Sequence, residues 1–319
     1  MPSPYRLLLP LMATLLLSAC FGNSKPTPAP SLGVTPPLAT ATPVRIRIGL
    51  ALGGGAAKGF AHIGVIKMLE ASGIHPDVVA GTSAGSVVGA LYASGMTPFQ
   101  MQETAFELDE AKIRDVRLFS GGLIQGRKLQ DYVNQLVQNR PIEALKLPFA
   151  AVATQLESGQ RTVFVRGNTG QAVRASSSIP GVFEPTTIHG KHYVDGGVVS
   201  PVPVDAARQL GADFVIAVDI SSKSTGTNPL GLANIVSQSI SIMAQHLAAQ
   251  EMARADIVLR PKLSGIGATD FAQKNQAILD GEKVALAAIP SIRAKLAAME
   301  AARRAALAPT PSAAQPDAH

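Results

Sequence analysis

Two strand-like runs of this chain, Arg45–Leu52 and Val78–Ala80, each end in a glycine-rich turn that leads straight into a helix-like segment. The first passes through Gly53-Gly54-Gly55-Ala56-Ala57-Lys58-Gly59 into a helix expected over 59–71. The second passes through Gly81-Thr82-Ser83-Ala84-Gly85 into a small-residue helix expected over 84–93. Strands that alternate with helices form an α/β sheet covered on both faces. The alternation continues, with further strands expected at 148–155, 161–166, 191–195, 213–219 and 257–259. Thr97-Pro98-Phe99-Gln100 has the form of a capping box with proline at the first helical position, so a helix should run to about Glu110. Asn228-Pro229 opens a long helix whose Leu232, Val236, Ile240, Met243 and Leu247 form a stripe expected to face the core. Two more helices are expected near 270–280 and 282–306. No repeat or low-complexity break divides 44–307, so this stretch is one domain, and a hydrophobic content of 46% can supply its core.

The ends read differently. Residues 1–19 carry Arg6, the apolar run Leu7–Leu17 and small residues before Cys20, the pattern of a signal peptide. The run is too short to span a bilayer as a helix. Leu17-Ser18-Ala19-Cys20 resembles the lipobox of bacterial lipoproteins. That resemblance implies a lipid on Cys20, cleavage before it and attachment to a membrane on the exported side. Phe21, where an Asp could stand, leans toward the outer membrane and periplasm in a double-membrane source. Cys20 is the sole cysteine, so no intramolecular disulfide forms. Residues 20–43, rich in proline, read as a tether, and the Ala/Pro-rich stretch 308–319 as a disordered tail. The net charge of +6 is spread out; it suits ordinary solubility and, secondarily, attraction to anionic lipid head groups. Aromatic residues make up 4% and tryptophan is absent, which argues against a nucleic-acid or sugar-stacking surface.

Gly81-Thr82-Ser83-Ala84-Gly85 is a G-x-S-x-G between a strand and a helix. A nucleophilic serine needs that setting, because a tight turn presents its hydroxyl outward and the helix N-terminus favours developing negative charge. The same letters also fit a glycine turn packed for structural reasons. The loop from Gly53 to Gly59 can offer backbone N–H groups to an anion, either a phosphate or the oxyanion of an acyl-transfer intermediate. Its spacing fits neither nucleotide signature. Asp195-Gly196-Gly197 ends a strand and could present a carboxylate to a cleft or simply form a turn. A Ser–acid–His order finds no suitable histidine. His62, His75, His189 and His192 precede Asp195, His319 lies in the tail, and His246 is expected as a partly buried helix residue. A Ser–Asp pair is the more economical arrangement.

Taken together these residues resemble the patatin-like phospholipases, close to the bacterial branch similar to neuropathy-target-esterase domains. Four blocks carry the resemblance in order, over roughly 45–220: Gly53–Gly59, Gly81–Gly85, Ala175-Ser176-Ser177-Ser178-Ile179-Pro180 and Asp195–Gly197. It implies a three-layer α/β/α fold with a mostly parallel sheet, and a Ser–Asp dyad that cleaves acyl esters of lipids. Ser83 would be the nucleophile and Asp195 its proton acceptor. Gly53, Gly54, Gly55, Lys58 and Gly59 would belong to the oxyanion loop, and Gly81, Gly85, Gly196 and Gly197 to the flanking motifs. Plant members carry Asp before the glycines, where this chain has Leu52. No metal or cofactor is expected, since no histidine–carboxylate cluster has ligand spacing. A partly buried Asp195 should have a raised pKa and lose activity in mild acid. An acyltransferase using the same acyl-enzyme, or a non-catalytic lipoprotein that only binds lipid, are the competing expectations.

Overall fold

A computed structural model describes residues 45–109, 113, 115, 124–221 and 232–307. The leader 1–19, Cys20, the tether and the tail 308–319 lie outside the described residues. Among the described residues eight strands form one sheet. They are β1 (Ile48–Leu52), β2 (Val78–Thr82), β3 (Phe149–Gln155), β4 (Arg161–Phe164), β5 (Thr186–Ile188), β6 (Lys191–Asp195), β7 (Phe214–Val218) and β8 (Ile257–Leu259). The order along the sheet is β5-β6-β3-β2-β1-β7-β8, with β4 also on β3. Strands β3, β2, β1, β7 and β8 are mutually parallel, while β4, β5 and β6 join antiparallel.

The helices are α1 (Phe60–Ala71), α2 (Ala84–Ala93), α3 (Pro98–Glu107), α4 (Arg127–Leu136), α5 (Thr169–Ser176), α6 (Val204–Gln209), α7 (Leu232–Met252) and α8 (Lys274–Leu307). Because side chains alternate along a strand, the two sheet faces build separate cores. Leu50, Leu52, Val79, Phe149, Phe214 and Ile216 pack with residues of α1, α2, α3, α4, α5 and α8. The intervening Ala51, Ala80, Ala150, Val215 and Ala217 pack with Val204, Ala206 and Ala207 of α6 and with Ala248 and Met252 of α7. Small residues on this second face let the short α6 lie close. The result is a three-layer α/β/α fold with a mostly parallel sheet, as expected.

Several elements depart from the sequence expectation. The first strand begins at Ile48, and a 3₁₀ turn, Ala56–Gly59, precedes α1. The capping box forms as read, but α3 ends at Glu107. The helices α5 and α6 and the strand β5 are short and carry too few periodic apolar residues to stand out, whereas α4 has Leu129, Val133 and Leu136 at helical spacing on its core side and falls outside the helices expected from the sequence. The two C-terminal helices are one, α8, with Pro290 inside it. Pro290 lies on the exposed side, where water can satisfy the carbonyl its ring leaves unbonded, while Ala285, Ile289 and Ile292 stay buried. Of the predicted α7 stripe, the side chains of Leu232, Val236 and Ile240 lie outside the described residues, and the other two are not core residues: Met243 is 60% exposed and Leu247 is half-buried. His246 is exposed, and the buried residues of this helix, among those described, are Ala248, Glu251 and Met252. Apolar residues sit on more than one side of this helix, Ile235 and Ile242 also being exposed, so spacing alone does not choose the buried face.

Candidate active site

The register of β3 brings the two motif turns together. One edge of β3 pairs with β4 over Ala151–Thr154. On the other edge, Phe149–Val152 pair with β2, up to Thr82 opposite Val152. The next residues of that edge pair with β6, with Asp195 opposite Ala153. Strands β2 and β6 therefore run toward each other along one edge of β3, and their C-terminal ends meet. Ser83 follows the first end and Asp195 forms the second.

Ser83 has φ 54° and ψ −124°. This left-handed backbone in a non-glycine residue costs energy and persists only where neighbours hold it. The Ser83 N–H donates to Ser176 Oγ at 2.9 Å, and Ser176 Oγ donates to the Val152 carbonyl at 2.6 Å. The Ser83 carbonyl accepts from Ser86 N–H and Ser86 Oγ at 2.8 and 2.6 Å. Glycine flanks the turn because nothing larger fits. A Cβ on Gly81 would lie 2.3 Å from the Gly85 carbonyl oxygen, and one on Gly85 would lie 2.1 Å from that of Leu52.

Asp195 is 7% exposed. Its N–H donates to the Ser178 carbonyl, and its own carbonyl accepts from Thr154 Oγ1, both at 2.9 Å. Carboxylate Oδ1 accepts the Gly197 N–H at 2.7 Å, whereas Oδ2 has no hydrogen-bonding partner among the described residues. Burial pushes the carboxyl up to about 6, against the opposing pulls of the Ser83 hydroxyl and the Gly197 N–H. Gly196 passes so close to β3 that a Cβ there would lie 2.1 Å from the Val152 carbonyl oxygen.

The first glycine loop lies against the same turn: a Cβ on Gly54 would stand 3.2 Å from that of Ser83. Its N–H groups have different uses. Gly53 N–H donates to the Val218 carbonyl and Gly54 N–H to that of Pro201, both at 3.0 Å. Those two groups anchor the loop. The N–H groups of Gly55 and Ala56 have no partner among the described residues, and Ala56 takes φ 52°. Gly59 packs on the first residue of α2, with 2.7 Å between its would-be Cβ and that of Ala84. Lys58 is buried, which pulls its pKa down. His62, fully buried on α1, donates from Nε2 to the Gly53 carbonyl at 2.8 Å. Burial lowers its pKa to about 4, although the Gly53 carbonyl and Asp219 pull the other way. It is neutral at pH 7 and braces the loop. Neither Ser176 nor His62 stands out as a brace in the sequence; each is recognisable only from its partner.

The arrangement combines a strained serine at a helix N-terminus, a buried carboxylate with a raised pKa, and backbone donors on an adjoining loop. Such parts can perform acyl transfer without a histidine. The profile of the family described as Patatin-like phospholipase matches residues 50–208. An uncharacterized NTE family protein of Mycobacterium tuberculosis is 34% identical over 206 residues, 64% of this chain and 57% of that one. The human patatin-like phospholipase domain-containing protein 6 is 34% identical over 184 residues, 55% of this chain and 13% of that much longer protein. In structure the chain is similar to VipD from Legionella pneumophila, with a TM-score of 0.52 at 14% identity, covering 77% of this chain and 67% of that one. With Ser83, Asp195 and both glycine turns inside the matched span, the chain belongs to the patatin-like phospholipase family.

Proposed function

We propose that this protein is a serine lipid acyl hydrolase of phospholipase A or lysophospholipase type, with Ser83 as nucleophile and Asp195 as its base. The observation that carries the reading is the buried Asp195 Oδ2, unpartnered beside a serine held in a strained strand-to-helix turn. Asp195 accepts the Ser83 proton as Oγ bonds to the acyl carbonyl carbon. The carbonyl oxygen takes the negative charge, and the Gly55 and Ala56 N–H groups and the Ala84 N–H at the start of α2 are the donors assigned to hold it in this reading. The intermediate collapses, the ester bond breaks, and the leaving alcohol takes the proton from Asp195. Water then gives a proton to Asp195 and attacks the acyl-enzyme. The fatty acid departs and the proton returns to Ser83. A carboxyl near pH 6 is ionised at pH 7 yet basic enough for this exchange.

The test is hydrolysis of nitrophenyl esters of graded chain length, and of phospholipid vesicles, by wild type, Ser83→Ala and Asp195→Asn. Loss in both variants supports the dyad; three equal rates reject it. The sequence before the described residues supports a companion proposal, that Cys20 carries a lipid and holds the enzyme at a bacterial membrane on the exported side. Labelled fatty acid should enter wild type and not Cys20→Ser; equal labelling, or none, rejects the anchor.

A further inference from the structure

Behind the site, on the α6–α7 side of the sheet, the segment Ser200–Val202 is bonded to all three of the turns that make it. The Ser200 carbonyl accepts Thr82 Oγ1 at 2.8 Å, next to Ser83. The Pro201 carbonyl accepts the Gly54 N–H at 3.0 Å, and the Ser200 N–H donates to the Gly196 carbonyl at 2.8 Å, next to Asp195. This strap is itself held by one side chain from outside the 50–208 match. Glu251, near the end of α7 and 5% exposed, accepts Ser200 Oγ on Oε1 and the Val202 N–H on Oε2 at 2.9 Å. Among the described residues its nearest cation is Arg161 of β4, at 3.9 Å. Asp205 of α6 occupies Arg161 at 3.3 Å and Arg254, just past the end of α7, at 2.8 Å, so the charge of Glu251 is poorly compensated.

We infer that Glu251 is a positioning residue of the active site, holding the Ser200–Val202 strap so that Ser83, Asp195 and the glycine loop keep their mutual register. The inference rests on the hydrolase reading above. A buried carboxylate with both oxygens accepting is a rigid bracket. Once protonated, the carboxyl keeps Ser200 only if that hydroxyl turns round to accept, and the bonds to Ser200 and Val202 lose their charge-assisted strength. Burial pushes Glu251 up to about 7; the Ser200 hydroxyl, the Val202 N–H and Arg161 oppose this and Asp205 adds to it. Acid should therefore loosen the strap while it also protonates Asp195, giving wild type an acid limb that approaches two protons.

The test compares full-length wild type, Glu251→Gln and Ser83→Ala. Gln keeps the shape and one acceptor but does not titrate. The expected result is a kcat lowered about tenfold in Glu251→Gln with KM within about twofold, since small displacements of reacting groups carry large rate costs. Its acid limb should shallow to one proton. Wild-type kcat and an unchanged limb, with Ser83→Ala inactive, overturn the inference and leave the hydrolase reading standing. If wild type hydrolyses none of the esters, hydrogen–deuterium exchange decides on the same proteins. Faster exchange over 50–58 and 78–88 in Glu251→Gln, with 98–107 unchanged, supports the bracket, and equal exchange overturns it.

Discussion

The Ser83 N–H donates to the hydroxyl of Ser176, 93 positions away, and that hydroxyl in turn donates a hydrogen bond to the Val152 carbonyl of β3. The strained turn thus hangs from the central sheet through one buried side chain. Ser176→Ala leaves a buried N–H and a carbonyl without this partner, a loss of about 1–3 kcal/mol. Chemical denaturation should report that loss, and kcat should fall more than KM changes. A variant as stable and as active as wild type would show the link to be idle.

Asp195 gives a pH prediction with opposite signs for activity and stability. Its folded pKa of about 6 lies above the ordinary 3.8, so the folded state binds the proton more tightly than the unfolded state. The carboxyl thus opposes folding increasingly as pH rises from about 4 to 6, reaching about 3 kcal/mol by pH 7. Activity moves the other way and should fall as pH drops through 6. Asp195→Asn should melt higher than wild type at pH 8, show a much smaller difference at pH 4, and hydrolyse nothing at either. Melting curves at the two pH values check this.

The tight turn predicts a steep cost for one added methyl. Gly85→Ala places a Cβ 2.1 Å from the Leu52 carbonyl oxygen, backbone that cannot yield without moving β1. A loss of about 3 kcal/mol or more, or failure to fold, is expected. Gly265→Ala, whose Cβ would meet nothing within 4 Å, is the control and should be neutral. Soluble yield and thermal midpoints of the pair measure the contrast.

The C-terminal helix makes a prediction against helix propensity. Alanine normally stabilises a helix over glycine by about 1 kcal/mol. At Gly281 a Cβ would lie 2.0 Å from the Ala61 carbonyl oxygen of α1, and at Gly64 one would lie 1.9 Å from that of Ile278. Gly281→Ala should therefore destabilise, as α8 is prised from α1. The glycine loop should feel it, since Ala57 N–H bonds the Ala268 carbonyl just before α8. A rise in melting temperature would refute the packing argument.

Features governed by near neighbours in the chain were legible from the residues alone. The Thr97–Gln100 capping box, the span of α2 and the strand before Ser83 depend on contacts within a few residues, and each formed where expected. The four motif blocks also mark Ser83 and Asp195 as partners by family likeness. Tertiary structure alone decided what depends on distant chain segments. The end-on meeting of β2 and β6 follows from how β3 divides one edge between them. The consumption of the Gly53 and Gly54 N–H groups follows from where β7 and Pro201 pass. The buried face of α7, and Glu251 on it, follow from which of several apolar sides the sheet accepts. Local spacing encodes backbone conformation, whereas burial and hydrogen-bond partners are set by segments far apart in sequence, and these determine which donors remain free for chemistry.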